Sequence, residues 1–468
     1  MLKELVKRSM PHFLISWYHY GVAFFGALLN DFPGRKIKVI GITGTNGKTT
    51  TANLTAAILE KAGYKVAVAS SIKFKIDKEE KENKLKMTMP GRAVLQKFLA
   101  DAVKAKCDYA IIEATSEGVL QHRHRFIKWQ TMVFTNLSPE HIERHRGFEN
   151  YKKAKGEYFK ACKNVHIINI DDENAEYFSQ FFSQKKYFFS LNKDKLNKDK
   201  LNNDKLLDEN KKISNVHISS LLHSSELITP RVVFGENVKE EKDGYCFSVR
   251  NVNFYLPLLG KFNVYNALAA IGVGLSQGVS LEVCQKALTN VGGVPGRMEE
   301  VIKKPFRVVV DYAFTPNALE QVYRCLQPEF KQGCLNSGCK QRTICVLGAC
   351  GGGRDKWKRP VLGQIAAKYC DEIIITNEDP YDEDPMDIIN QVAEGAKEVA
   401  RQLPYYRKLP SNFLILDRRE AIRKAIELAR PGDTVVITGK GCEPWICVEN
   451  GRKIPWDDRQ VVREEFQI

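Results

Sequence analysis

The stretch "KVIGITGTNGKTTTANLTAAILEKAGYK", residues 38–65, narrows the folds open to this chain more than any other. Val39 and Ile40 belong to an apolar run that reads as a buried strand, and the alanine and leucine spacing after Lys48 reads as a helix. Between them lies a glycine-rich turn. A polyphosphate needs inward-pointing backbone N–H groups, glycine wherever a side chain would block its approach, a lysine for the outer phosphates and a hydroxyl for a divalent cation. Gly44, Thr45, Asn46 and Gly47 make the turn, and Lys48, Thr49 and Thr50 follow at the positive end of the helix. Five residues separate Gly41 from Gly47 and two separate Gly44 from it, so the loop is a variant of the usual phosphate-binding spacing. Nucleotide binding follows from this stretch; the reaction does not.

A strand-to-helix phosphate loop belongs to a parallel sheet, and the chain repeats that grammar. "KVAVASS" reads as a strand followed by a polar mobile loop, "KIDKEEKENKLKMTMPGR". "DYAIIEATSEG" and "TMVFTNLSPEHIERH" each read as a buried strand carrying polar residues at its C-terminal end, where ligands bind in such sheets. From Val301 the pattern restarts with "PFRVVVDYA", "TICVLGACGGGRDK", "EIIITNEDP" and "DTVVITGKGCE". The expected fold is therefore α/β: a central P-loop ATPase domain on a parallel-type sheet, then a C-terminal Rossmann-like α/β domain. At 468 residues the chain is too long for one core. The expected boundaries are residues 1–37 for an N-terminal helix and linker, 38–296 for the central domain and 297–468 for the C-terminal one, with "GGVPGR" at the joint. Residues 191–215, a Lys/Asn/Asp/Leu repeat, read as a disordered or loosely helical insertion.

The net charge of +15 first brings nucleic acid to mind. Its lysines are scattered through helices and the insertion without aromatic interleaving, so no nucleic-acid partner is expected; a phosphate-rich small substrate or a solvated basic surface accounts for the charge equally well. Twelve cysteines fall short of a disulfide framework, and an ATP-using enzyme belongs in the reducing cytoplasm. Cys334, Cys339, Cys345 and Cys350 cluster without C-x-x-C knuckles, so no metal is assigned to them. Residues 11–29, "PHFLISWYHYGVAFFGALL", are the longest apolar stretch. They run straight into the phosphate-loop strand and carry two histidines, which argues for an amphipathic helix packed on the body, with weak membrane-surface contact as a further reading.

The segments "GITGTNGKTTT", "FTNLSPEHIERH", "YKKAKGEYF", "GKFNVYNALAA", "GVPGRME", "VVVDYAFTPNAL", "GGGRDKWKRP" and "GKGCE…GRKIPWDDR" stand in an order that resembles the Mur ligases, and is most similar to the MurE-type muramyl-tripeptide synthetases. The resemblance spans roughly residues 38–468. It implies a cytoplasmic, ADP-forming peptidoglycan ligase in which ATP phosphorylates a substrate carboxylate and an amine attacks the acyl phosphate. ATP and Mg2+ are the implied cofactors; UDP-muramoyl-Ala-Glu and an amino acid, of diaminopimelate or lysine type, are the implied substrates of a monomer. The resemblance makes Thr49 and Glu113 ligands of one magnesium, and His141 with Lys155 servants of a second. A lysine ammonium has no lone pair for a cation, so Lys155 is implied to be carbamylated. Read without the family, Lys155 could be a surface lysine, Glu113 a helix cap and His141 a satisfied loop histidine.

The same resemblance gives Asn263 and Asn266 to the nucleotide base, although on spacing alone they could cap a helix. It gives Arg297 to a phosphate and Asp311 to the nucleotide, from the C-terminal domain, so that catalysis calls for domain closure. Thr88 in "TMPG", Ser116 and Arg123 are implied to face the muramyl substrate. Arg354 and Glu443 are implied to face the incoming amino acid, an arginine for its carboxylate and a glutamate for its ammonium.

Three departures from the family stand out. About forty residues precede the P-loop, where MurE members carry a UDP-gripping domain, so UDP is expected to be held differently, or the acceptor to carry none. The family's Asp-Asn-Pro-Arg is here "EDPY", Glu378 to Tyr381, which leaves the added amino acid open. Phe314 and Cys442 stand where histidines are usual. Two alternatives stay open beside the MurE reading: a related ligase with a folylpolyglutamate- or cyanophycin-like acceptor, and a non-catalytic nucleotide-binding paralogue.

Overall fold

The computed structural model describes residues 12–85, 87–196, 231–327, 341–402 and 411–467. Its chain divides into two compact units, the first made of residues up to Ser138 with Glu149–Pro257 and Lys261–Val291, the second of Pro139–Phe148, Leu258–Gly260 and everything from Gly292.

The first unit is built on one sheet. Its centre is parallel: β1 (Lys38–Thr43) lies between β5 (Tyr109–Glu113) and β6 (Trp129–Phe134), with β2 (Val66–Ala69) beyond β5, and β7 (Val165–Asn169) and β8 (Lys185–Ser190) beyond β6. Apart from Lys38, β1 is buried throughout, as expected of a strand covered on both faces. The helix Lys48–Lys61 leaves the end of β1 and packs against the helix Phe262–Ser276.

The sheet is wider than the sequence reading. The polar segment expected to be a mobile loop holds an antiparallel hairpin, β3 (Lys73–Ile76) with β4 (Glu79–Glu82), paired to β2. Lysine and glutamate suit an edge hairpin, because the strands bury little and the pair Lys73–Glu80 at 2.9 Å bridges them. On the other edge β9 (Val232–Glu241) joins β8 in parallel and continues into the antiparallel meander β10 (Gly244–Val249) and β11 (Val252–Leu256). Of the insertion read over 191–215, residues Lys193–Leu196 form a short helix and 197–215 lie outside the described residues.

The second unit carries a sheet in the order β12 (Glu299–Ile302), β13 (Arg307–Asp311), β17 (Thr434–Thr438), β14 (Thr343–Leu347), β15 (Glu372–Thr376), β16 (Ser411–Ile415), parallel except for β12. Its strands are runs of buried valine and isoleucine, and Val308, Val310, Ile344, Ile374 and Val435 form the core beneath the helix Arg418–Leu428. Cys345 is buried in β14, while Cys334 and Cys339 lie outside the described residues; the cysteines that are described are free thiols.

The apolar stretch after the N-terminus forms the helix His12–Leu29. It packs on the first unit through the Tyr20 and Phe24 rings against Phe126 and through Ser16 Oγ, 2.8 Å from His122 Nε2. Its outward face is not the polar face of an amphipathic helix, because the segment contains no charged residue: Trp17 is 73% exposed and Phe25 60%. Among the described residues no helix is long and apolar enough to cross a membrane.

Candidate functional site: a phosphate loop and an acidic cradle

Two glycines give the loop its shape. Gly47 sits at φ 83°, and a Cβ there would collide with Asn266 Oδ1; a Cβ at Gly44 would collide with Thr135 Oγ1. The loop is strapped by the segment after β6: Asn136 Oδ1 accepts from the N–H of Asn46 at 2.9 Å, Thr135 Oγ1 donates to Asn46 O at 2.7 Å, and Ser138 N donates to Thr45 Oγ1 at 2.9 Å. Thr135, Asn136 and Ser138 belong to the sequence motif "FTNLSP", but no site role had been assigned to them.

Lys48 Nζ donates to the carbonyls of Gly44 at 3.0 Å and Thr45 at 2.8 Å, folded over the loop that it would serve. Lys155 is not a surface lysine. It is 2% exposed on the helix Phe148–Ala161, its Nζ donates to Gly44 O at 2.8 Å, and the ring of Tyr151 lies 4.7 Å beneath it. Two lysines thus converge on one carbonyl of the phosphate loop.

Glu113 ends β5 fully buried and is not a helix cap; the next helix, Ser116–Leu120, is capped by Thr115. Its Oε1 accepts from Ser71 N at 2.9 Å, and Ser71 Oγ in turn lies 2.8 Å from Thr49 Oγ1. Ser71 therefore couples the two oxygens expected to bind a cation. The sequence reading missed it, since a serine at the end of "VASS" carries no spacing signal. Hydroxyl and carboxylate oxygens are hard donors, and a magnesium ion takes few protein ligands and completes its shell with phosphate and water. The set fits such an ion, although among the described residues no three His, Cys, Asp or Glu side chains gather into a metal-binding cluster.

Asn263 and Asn266 lie buried inside the helix Phe262–Ser276, with Asn266 Nδ2 donating to Asn263 Oδ1 at 2.9 Å and Thr51 Oγ1 donating to Asn266 Oδ1 at 3.3 Å. Neither caps the helix. Asn266 instead supports the phosphate loop from behind Gly47. Thr50 is buried in the first turn of the loop helix.

Of the residues expected to face the muramyl substrate, Ser116 opens a helix and is 2% exposed, and Thr88 is half-buried. Arg123 is buried; its guanidinium donates to the carbonyl of Met89 and, at 2.8 Å, to Gln121 Oε1. Its fork holds the "TMPG" loop that carries Thr88.

In the second unit Lys440, fully buried, donates to both oxygens of Asp379 at 3.0 Å and to Glu443 Oε2 at 2.6 Å, and Tyr312 OH donates to Glu443 Oε1 at 2.7 Å. One ammonium between two carboxylates leaves a net negative cradle. Burial alone would lower the pKa of Arg354, but its interactions with Cys350, Tyr312, Tyr381 and the Glu140 carboxylate raise it instead. Asp311 accepts the backbone N–H groups of Met298 and Ala313, each at 2.7 Å, and burial raises its pKa despite Arg297. Arg297 stacks 4.2 Å over the Tyr312 ring, and its buried Nη1 meets no partner among the described residues. Glu378 is buried, accepts from Cys350 Sγ at 2.7 Å, and has its pKa raised by burial. Phe314 stacks 4.8 Å from Lys358 Nζ, and Cys442 Sγ donates to Pro295 O at 3.3 Å.

His141 belongs to the second unit, at φ 55° ahead of the helix Ile142–His145. There the Asp355 carboxylate accepts the N–H groups of Ile142 at 3.1 Å and Glu143 at 3.0 Å and fixes the turn.

A phosphate loop with a buried second lysine in one unit and an acidic cradle in the other together define a class: an ATP-dependent ligase. The comparisons with known proteins make it particular. The profile of the Mur ligase middle domain matches residues 42–274, and that of the Mur ligase glutamate ligase domain matches 296–441. A UDP-N-acetylmuramoyl-L-alanyl-D-glutamate–2,6-diaminopimelate ligase of Syntrophomonas wolfei is 36% identical over 441 residues, which cover 92% of this chain and 78% of the relative. A UDP-N-acetylmuramyl-tripeptide synthetase of Roseiflexus is 34% identical over 478 residues, covering 97% and 82%. A solved structure of a UDP-N-acetylmuramoyl-L-alanyl-D-glutamate–2,6-diaminopimelate ligase superposes with a TM-score of 0.55 at 28% identity, over 92% of this chain and 78% of that one. The chain belongs to the Mur ligase family.

Proposed function

We propose that this ligase adds one amino acid to UDP-N-acetylmuramoyl-L-alanyl-D-glutamate during peptidoglycan synthesis. The observation that carries the reading is the convergence of Lys48 and Lys155 on Gly44 O beside the Thr49–Ser71–Glu113 set. Phosphoryl transfer asks a protein for positioning and for cations on the phosphates, and this loop offers both. Lys48 turns from its loop carbonyls to the outer phosphates of ATP. Thr49 and Glu113, with Ser71 holding them in register, would bind Mg2+, which neutralises phosphate charge when present.

Lys155 acts as a carbamate in this proposal. A carbamylated amine keeps one N–H, so its bond to Gly44 O survives while its far end becomes anionic. His141 serves the second cation by analogy with the family. Asn263, Asn266, Arg297 and Asp311 attend the nucleotide, and Thr88, Ser116 and Arg123 attend the muramyl dipeptide. Its γ-carboxylate takes the phosphoryl group, and the amine of the incoming amino acid, drawn by Glu443 while Arg354 holds the carboxylate, displaces phosphate. The enzyme acts as a monomer. The relatives' names give diaminopimelate as the added residue; Tyr381 in place of the family's arginine keeps lysine in the same reading.

The test is phosphate release from ATP and Mg2+. It should require the muramyl dipeptide and an amino acid together, and release with neither present would oppose the reading.

A further inference from the structure

The helix His12–Leu29 turns most of one side to solvent, and that side is apolar. Placed at 100° per residue, Phe13, Trp17, Gly21, Phe25, Leu28 and Leu29 fall on one half-circumference with Leu14 and Tyr18, and the large ones are all exposed: Leu29 84%, Trp17 73%, Phe13 62% and Tyr18 60%. Scattered surface leucines are ordinary, but a continuous aromatic stripe is not. The opposite side is anchored, with Ala23 and Ala27 buried and His19 bonded to Arg92, while Phe24, which falls within the stripe between Phe13 and Trp17, turns its ring onto Phe126 beside that of Tyr20. The helix therefore cannot swing away to hide its face.

We propose that this stripe is a docking surface for a membrane bearing anionic headgroups, on which the helix lies in the plane of the interface. Charge and shape select this occupant. The helix itself has no charged residue, whereas the sequence that precedes and follows it, within residues 1–40, carries six Lys and Arg (Lys3, Lys7, Arg8, Arg35, Lys36, Lys38) against two acids, Glu4 and Asp31. Apolar and aromatic residues flanked by lysine and arginine match a bilayer interface, where tryptophan and tyrosine sit at headgroup depth and basic residues meet anionic lipid. A crossing is excluded because the buried half of the helix is occupied by protein. A second copy fits less well: a stripe about 27 Å long and about 10 Å wide is well short of the ~800 Å² per partner of a stable interface. The inference is independent of the ligase reading, since it uses no residue of the phosphate loop or the acidic cradle.

The test is co-sedimentation of the full-length protein with vesicles of pure phosphatidylcholine or of equimolar phosphatidylcholine and phosphatidylglycerol. Binding to the anionic vesicles, weakened by salt and lowered about tenfold by Trp17→Glu or Phe25→Glu, is the expected result, the fold-change being that of one aromatic side chain left in water. Because these side chains are already exposed, the variants should keep the wild-type melting temperature. A second variant, Lys3→Gln/Lys7→Gln/Arg8→Gln, should lose the preference for anionic over neutral vesicles. Failure to bind either vesicle overturns the proposal, as does an unchanged anionic preference in the triple variant. So does a dimer in lipid-free buffer that Trp17→Glu splits, since a second copy would then own the face.

Discussion

The Nζ of Lys155 lies 2.8 Å from the carbonyl oxygen of Gly44, inside a pocket that leaves the side chain 2% exposed. A lysine so placed is neither a surface charge nor a free nucleophile; it is fixed against the phosphate loop. Lys155→Ala should reduce turnover by at least about a thousandfold, on the scale of losing a preorganised electrostatic group, while ATP still binds. Excess bicarbonate should not rescue it, and a short carboxylic acid should restore part of the rate. Wild-type turnover in this variant would remove the carbamate from the mechanism.

Ser71 joins Thr49 to Glu113 through contacts of 2.8 Å and 2.9 Å. Ser71→Ala keeps the backbone N–H that Glu113 accepts and removes the hydroxyl that reaches Thr49. The expected outcome is a fall in kcat of about tenfold to a hundredfold, with a higher magnesium concentration needed for half-maximal rate. A magnesium titration reads this directly, and an unchanged profile would limit Ser71 to packing.

Arg123 spends its guanidinium on the backbone of the "TMPG" loop and on Gln121. Arg123→Lys keeps the charge but not the fork, so the Met89 carbonyl loses a donor in a buried setting. KM for the muramyl dipeptide should rise by about tenfold with kcat changed less, and the loop between Asn83 and Gly91 should become more sensitive to protease. If Arg123 touched only substrate, protease sensitivity would not move.

Much of this site was legible in the sequence because phosphate binding demands residues at fixed spacing. Gly44, Gly47, Lys48 and Thr49 could be placed from a single stretch, and buried strands such as β1 and β14 from their valine and isoleucine runs. The β3–β4 hairpin was not legible, since its lysine and glutamate residues pair across strands instead of alternating with apolar ones. Ser71 and Asn136 were hidden for another reason: each acts through a contact distant in sequence, 42 residues from Ser71 to Glu113 and 90 from Asn46 to Asn136. The burial of Lys155 came with its contact to Gly44 O, 111 residues away in sequence, which no local pattern encodes.

His166 is buried in β7, its Nε2 2.9 Å from Cys162 O, and burial pulls its pKa down to about 4; His124 is pulled down to about 4 in the same way. The native state keeps both imidazoles neutral, whereas the unfolded chain takes up protons below about pH 6.5. Stability from these groups is therefore full above pH 6.5 and lost as pH falls towards 4, by up to about 1.4 kcal/mol per pH unit for each histidine. Urea midpoints measured across that range should show the slope, and His166→Gln should make it shallower. A slope unchanged by the substitution would place the acid sensitivity elsewhere.

Mass spectrometry reads directly whether the chain joins one amino acid to the muramyl dipeptide. The purified protein would be incubated with ATP, Mg2+, UDP-N-acetylmuramoyl-L-alanyl-D-glutamate and single amino acids in turn, diaminopimelate and lysine among them. A product heavier by one amino-acid residue, with ADP formed in equal amount, is expected. No product with any amino acid, from a protein that still binds ATP, would contradict the proposed reaction.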